Sequence, residues 1–370
     1  MTFVDTELRA LRDDLDRGLA LPTVWYIDPA ITALEMERIF RRSWQYVGRT
    51  EELARIGDYF MGTVGDIPVV VVRAVESICA LVNVCRHRRH EVVHGAGSHQ
   101  SLQCPYHAWT YELDGRLRSA PRSEHEPGFR KEEYPLLALQ VATWGPWIFA
   151  NADPSAPPFS EVLGELPRIV AGSGLDLDGL QLRRREEWSS DANWKVMIEN
   201  FLECYHCPIQ HPAFSAVIDV RPDAYELRAH RWFFTQRAPV RVSPPGKALP
   251  YNAEGHIREA QYHLLWPNFT LSINPGQPNL SVDVWLPDGP ERTRGFSEHY
   301  FGPNVSEEWA EEMIAFNDQV SLEDDRLTSS VQRSMRCGLP DRGRFLVNSE
   351  HLCIDFQKLV LGAVGDKIQS

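Results

Sequence analysis

A chain of 370 residues is long enough for two domains of ordinary size, each with its own core. Hydrophobic residues at 43% and charged residues at 24% are the proportions of a globular protein and exclude a disordered or fibrous chain. A formal net charge of -13 argues against a nucleic-acid partner, and no apolar run is long enough to span a membrane.

The N-terminus, MTFVDTELRALRDDL, carries charges throughout and has no secretory apolar stretch, so a cytoplasmic location is expected. Residues 1–41 read as a helical segment ending in Ile31 to Tyr46, where Leu34, Ile39, Phe40 and Trp44 recur at roughly helical spacing. From Tyr46 to Ala150 short β-rich runs take over: IPVVVVR, ICALVNV and LALQVATWGPWIFA, separated by Gly, Asp and Pro turns. This predicts a small all-β domain over 42–150. Asn151 to Ser160, NADPSAPPFS, reads as a linker. Residues 151–370 are mixed, giving an α+β chain as a whole. A helix is expected over Trp194 to Tyr205, antiparallel strands near 225–240, 261–274 and 280–286, and a loop over Val242 to Gly255. Helices are expected over Glu307 to Val331 and Val347 to Leu361.

Seven cysteines in a reducing compartment do not suggest a disulfide framework; clustered Cys and His there suggest metal. The segment CRHRRHEVVHGAGSHQSLQCPYHAWTY holds Cys85-x-His87, then sixteen residues, then Cys104-x2-His107. Two thiolates and two imidazoles are the ligand set of a [2Fe–2S] centre in which a His pair replaces a Cys pair on one iron. Each short motif brings one of each, so two loops can clamp the cluster, with the imidazole edges toward solvent. A zinc site is the rival, but zinc fingers place a Cys pair before a His pair and do not alternate them. His90, His94 and His99, between the motifs, are expected to be surface residues.

The segment CRHR…CPYHAWTY resembles the Rieske motif of ring-hydroxylating oxygenase alpha subunits. It departs from the family at two places, Arg89 and Ala108, where the family has Gly. The resemblance implies an all-β Rieske domain followed by a helix-grip, START-like catalytic domain with an antiparallel sheet and C-terminal helices. It also implies a mononuclear non-haem Fe(II), O2 as co-substrate, and electrons from NAD(P)H through a reductase, with or without a ferredoxin.

A second constellation lies in NWKVMIENFLECYHCPIQHPAF. His206 and His211 are five apart and share no face of an unbroken helix, but Pro208 breaks the helix between them. His211 can then turn back toward the metal of His206. Two imidazoles and one carboxylate form a facial triad with open positions for O2 and substrate. The carboxylate is sought in VSLEDDRLTSSVQ, which resembles the family's Glu-Asp motif before a Val-Gln pair. The match points to Asp324, with Asp325 the runner-up; the plain alternative is a solvated acidic helix face. Glu203 stands three residues before His206, on the same face of a continuing helix. In the resembling family an acidic residue here bridges the cluster of one subunit to the iron of the next. Glu203 is therefore expected to be an electron bridge in a head-to-tail homotrimer. Glu at this place, where most dioxygenases of the family carry Asp, is reminiscent of the branch acting on quaternary amines. Cys204 and Cys207 read as packing residues on the ligand-bearing helix rather than a redox pair. Cys79, Cys337 and Cys353 show no ligand spacing.

Arg86, Arg88 and Arg89 form a basic cluster beside the cluster motif, fit to steer an acidic donor protein. Candidate pocket walls are Trp232, Phe233, Phe234, Tyr262, Leu264, Trp266, Phe269 and Trp285, which suit an aromatic ring by stacking or a quaternary ammonium by cation–π attraction. The expectation is a terminal oxygenase that hydroxylates, dihydroxylates or oxidatively demethylates a small organic substrate. An aromatic compound is placed first and a quaternary amine second. A Rieske electron carrier without oxygen chemistry is the rival from another class.

Overall fold

The computed structural model describes residues 3–241, 251 and 255–365. They form two compact units: Phe40–Phe159, and Met1–Ile39 together with Ser160–Ser370.

The smaller unit shows why a run of four valines belongs in a sheet. In the strand Ile67–Arg73, Val69, Val70, Val71 and Val72 have no solvent exposure. Alternation sends Val69 and Val71 into one core with Phe60 and Ile148, and Val70 and Val72 into another with Leu81, Trp109 and Tyr111. That second core also contains Cys85 and Cys104. The valine strand pairs antiparallel with Asp58–Val64 and Ile78–Val82 inside a seven-stranded sheet. A separate three-stranded sheet, Leu102–Gln103, Thr110–Tyr111 and Leu117–Ser119, carries the second Cys-His motif. The N-terminal helical reading ends too late. Helical structure stops at Phe40, and Tyr46 is already in the strand Gln45–Arg49. The span read as a linker is also partly ordered: Asn151 ends the strand Trp147–Asn151, and Phe159 opens the helix Phe159–Leu163.

The larger unit is built on seven antiparallel strands. In spatial order they are Gln181–Ser190, Thr293–Phe301, Asn279–Pro287, Phe269–Ile273, Glu259–Leu265, Phe233–Pro239 and Glu226–Ala229. Two of these, Gln181–Ser190 and Thr293–Phe301, were not expected from the sequence. The first, QLRRREEWSS, is an edge strand whose charges mask its alternation. The loop expected from Val242 onward lies largely outside the described residues. The helix Glu307–Met335 is capped by Ser306, whose hydroxyl accepts from the Trp309 N–H at 3.3 Å, and Glu307 and Glu308 suit the positive end of its dipole. The helix Trp194–Phe201 is capped by Asn193 and ends at Leu202, four residues before His206. His351–Gly365 forms a further helix. Among the described residues no helix is long and apolar enough to cross a membrane.

A buried ion pair anchors the short helix. Lys195 Nζ donates to Glu35 Oε1 at 2.6 Å, both side chains being fully buried, and Trp194 Nε1 donates to Glu35 Oε2 at 2.8 Å. Lys195→Met leaves that carboxylate buried with one neutral donor and is expected to cost about 3–5 kcal/mol of stability. Urea unfolding of Lys195→Met and of the double variant Glu35→Leu/Lys195→Met measures this. The double variant recovers most of the loss, and a single variant as stable as wild type would contradict the account.

Candidate metal centres and substrate cavity

The two Cys-His segments of the smaller unit fold into matching loops. In one, the Cys85 N–H donates to His90 O at 2.8 Å and the Arg89 N–H to Cys85 O at 3.0 Å. In the other, the Cys104 N–H donates to Trp109 O at 2.9 Å and the Ala108 N–H to Cys104 O at 3.0 Å. Both loops pass through the left-handed region, at Arg89 (φ 60°) and Ala108 (φ 56°). These are the two positions where the resembling family has Gly, which needs no Cβ there. Cys85 and Cys104 are buried, at 2% exposure each, whereas His87 and His107 are exposed, their rings 4.5 Å apart. Trp109 stacks on His87 at 5.0 Å. Burial pushes the Cys104 thiol up, so thiolates here call for a nearby positive charge such as iron. Two inner sulfurs and two outer imidazole edges fit a [2Fe–2S] group with mixed ligands. Tyr111, which no spacing rule identified, places its hydroxyl 3.3 Å from Cys85 Sγ and accepts from the Arg86 N–H at 3.0 Å. His90 and His94 bind Glu91, and His99 stacks on Tyr59.

In the larger unit, His206 and His211 bracket the short helix Cys207–Gln210. Their Nε2 atoms lie 3.1 Å apart. Asp324 Oδ1, from the long helix, is 3.0 Å from His211 Nε2 and 3.5 Å from His206 Nε2. Ligands about 2.1 Å from a first-row metal and roughly at right angles stand about 3 Å apart, so this triangle has the size of a metal site. Asp325 stays out of it, its Oδ1 buried without a hydrogen-bond partner. Burial opposes the charged form of each group, and the mutual contacts outweigh it. The His206 pKa is pushed up to about 9 by Asp324 and Glu203, and the Asp324 pKa falls to about 2 by the two imidazoles.

Each imidazole is held from behind by a carboxylate. His211 Nδ1 donates to Glu323 Oε2 at 2.7 Å, and His206 Nδ1 donates to Glu203 Oε1. Such contacts fix the tautomer and leave Nε2 as the ligand atom. Asn200 donates to Asp324 Oδ1 at 2.7 Å. The sequence reading missed Glu323 and Asn200 as supports. It also put Glu203 on a helix shared with His206. The helix has already ended, and Glu203 reaches His206 from an irregular turn, accepting backbone N–H groups of Tyr205 and His206 as well. The reading of Cys204 and Cys207 changes too: both are buried in an apolar cluster as expected, but they are joined as a disulfide.

A cavity of about 550 Å³ opens onto the three ligands. Of the aromatic residues expected to line it, Tyr262 and Trp285 do. Phe233, Phe234, Leu264, Trp266 and Phe269 are core instead, and Trp232 is half-buried outside the lining. Of Tyr262, Leu264 and Trp266, expected on one face of a strand, the cavity reaches only Tyr262; Trp266 lies past the end of the strand Glu259–Leu265 and packs on Phe356. Trp188, Phe201, Phe214, Tyr225 and Tyr251 supply further rings, and Glu186, Glu187, Asp283, Asp318 and Asp325 supply carboxylates. Among the described lining residues there is no Lys or Arg.

Comparison with known proteins finds a domain of the expected kind over each of the two segments. A family model for the ring hydroxylating alpha subunit (catalytic domain) matches residues 178–365, and one for the Rieske [2Fe-2S] domain matches 43–140. The carnitine monooxygenase oxygenase subunit of Acinetobacter baumannii is 31% identical over 93% of this chain and 95% of its own length. The chloroplastic choline monooxygenase of Amaranthus tricolor is 30% identical over 90% of this chain and 75% of its own. A quaternary ammonium Rieske monooxygenase solved with L-carnitine superimposes with a TM-score of 0.80 at 29% identity, covering 95% of this chain and 97% of that one. Naphthalene 1,2-dioxygenase from Rhodococcus, at 20% identity and a TM-score of 0.79, shares the fold.

Proposed function

From the premise that this chain belongs to the Rieske oxygenases with a ring-hydroxylating alpha-subunit catalytic domain, we propose that it oxidises a cationic, N-methylated amine. The chain is a terminal oxygenase component, dependent on O2 and on electrons from a reductase system. In our reading Cys85, His87, Cys104 and His107 hold the [2Fe–2S] cluster, and His206, His211 and Asp324 hold the mononuclear iron. When bound, the cluster supplies single electrons and the iron activates O2. Around them Glu203 and Glu323 keep both imidazole Nε2 atoms turned to the metal, and Asn200 steadies Asp324. In balance, one oxygen atom enters a C–H bond beside the nitrogen. The other leaves as water with two electrons and two protons.

The observation that carries the substrate class is the lining of the cavity, where indole and phenol faces stand among carboxylates without a Lys or Arg among the described residues. A neutral aromatic hydrocarbon would gain from the rings but would have to desolvate the carboxylates without compensation. A methylammonium group gains from both. This favours the amine alternative over the aromatic compound placed first from sequence, and the similarity to carnitine and choline monooxygenases supports it. We read the working unit as a head-to-tail homotrimer. In support, Tyr205 and Ile209, beside Glu203 and His206, expose apolar side chains at 63% and 80%, more than a free surface usually spends on such residues.

The test is O2- and reductant-dependent turnover on two panels, one of methylammonium compounds including choline and carnitine, the other of aromatic acids. Product from the first panel alone is expected. Oxidation of a benzoate with every amine untouched would overturn the substrate reading.

A further inference from the structure

We propose that Asp283 is the counter-charge that seats the substrate's cationic group, held ready for it by a hydrogen-bond relay from Trp188 through Ser297. The proposal rests on the amine reading above and names the residue that enforces it.

Asp283 lies in the strand Asn279–Pro287, where Ser281, Asp283 and Trp285 alternate onto the face that lines the cavity. It sits inside the sheet, away from both edges. Ser297 is its partner in register on one side and Thr270 on the other, with Glu186 opposite Ser297 one strand further on. Trp188 Nε1 lies 2.9 Å from Ser297 Oγ, and Ser297 Oγ is bonded to Asp283 Oδ1. An indole N–H can only donate, so Ser297 accepts from Trp188 and turns its own proton toward Asp283. The direction of the relay is thereby fixed, and the carboxylate is kept as an acceptor facing the cavity.

The relay supplies one neutral donor to a group with about four acceptor positions. The Thr270 hydroxyl, 3.2 Å from the Asp283 backbone carbonyl, is a second neutral donor beside the carboxylate. No Lys or Arg among the described residues lines the cavity, and burial raises the Asp283 pKa to about 6. Other carboxylates of the cavity are already engaged. Both oxygens of Asp318 accept from Arg184 at 2.7 Å, Glu186 pairs with the same Arg184, and Asp324 belongs to the iron triad. Asp325, next to a ligand on the long helix, and Glu187, which is exposed, are the remaining competitors.

The neighbouring row of the sheet provides the walls. Trp188 and Trp285 are both in register with Gly295, which lies between their strands. A Cβ on Gly295 would come within 2.5 Å of Trp188 Cζ2, so the glycine is what lets that indole lie over the sheet. Two indoles beside an uncompensated carboxylate make a site for a methylated ammonium, which the rings attract by their faces and the carboxylate by charge.

The test uses the iron- and cluster-loaded enzyme and two probes of one shape, choline and 3,3-dimethylbutan-1-ol, in which carbon replaces the nitrogen. Calorimetric titration is expected to show wild-type enzyme binding choline at least about tenfold tighter than the neutral probe. In Asp283→Asn that ratio collapses toward one while iron content and cluster absorbance hold, and Asp283→Glu restores part of it. Ser297→Ala lowers the ratio less. A preference that survives in Asp283→Asn, or one lost in Asp325→Asn but not in Asp283→Asn, overturns this inference and leaves the amine reading standing. Wild-type enzyme that binds both probes equally removes the amine reading and this inference with it.

Discussion

Replacing His211 with alanine is expected to abolish oxygenation and spare the cluster: iron falls from about three atoms per chain to about two, and turnover drops by more than about a thousandfold. His211 is 2% exposed and held at both nitrogens, with Glu323 behind it at 2.7 Å and Asp324 in front at 3.0 Å. Alanine removes one of the three atoms we propose as ligands. Asp325, the nearest spare carboxylate in sequence, keeps its buried Oδ1 away from the triangle. The two remaining ligands cannot fix a facial geometry with open positions for O2 and substrate. The four residues we propose as cluster ligands belong to a separate compact unit with its own apolar core, so the visible absorption of the cluster should persist. Metal analysis and steady-state O2 uptake decide the matter. A variant that keeps three irons and its turnover would remove His211 from the metal.

The residues we propose as ligands could be picked out in the sequence because metal chemistry admits few residue types and the chain presents them at short spacing. Cys85 to His107 and His206 to His211 are each read within one segment. The third ligand was harder, because neighbouring positions on a helix point about 100° apart, and sequence alone leaves Asp324 and Asp325 as alternatives. The supports were not legible. Glu323 meets His211 across 112 residues and Asn200 meets Asp324 across 124, and contacts of that range leave no periodicity to find. The strand Gln181–Ser190 escaped for a different reason: an edge strand can carry charges on both faces, as in RRREE, and polarity then conceals the alternation that brings Trp188 to the cavity. Missing that strand meant missing one wall of the cavity. The valine strand Ile67–Arg73 lies at the opposite extreme, buried on both faces and therefore uniformly apolar.

Glu203→Gln should lower kcat by about a hundredfold, an effect of the size seen when a carboxylate behind a ligand imidazole is lost. The substitution keeps size and shape, so the argument turns on donors and acceptors. One oxygen of Glu203 accepts from His206 Nδ1 while the other accepts backbone N–H groups of Tyr205 and His206. A carboxylate satisfies both sides at once; an amide has one accepting end, so either the imidazole or the backbone must then face another donor. The turn that carries His206 has no helix to hold it, since Trp194–Phe201 has ended; the Cys204–Cys207 disulfide and this side chain tie it. In our reading the same carboxylate also links the iron-bearing imidazole to the cluster of the adjoining chain. A purely local role predicts loss of iron with cluster reoxidation intact in the molecules still loaded. A linking role predicts iron retained and slow reoxidation of the pre-reduced cluster when substrate and O2 are added, with Glu203→Asp recovering part of the rate. Stopped-flow absorbance on samples of known iron content separates the two, and wild-type reoxidation in the fully loaded Gln variant would end the assignment of Glu203 as the bridge.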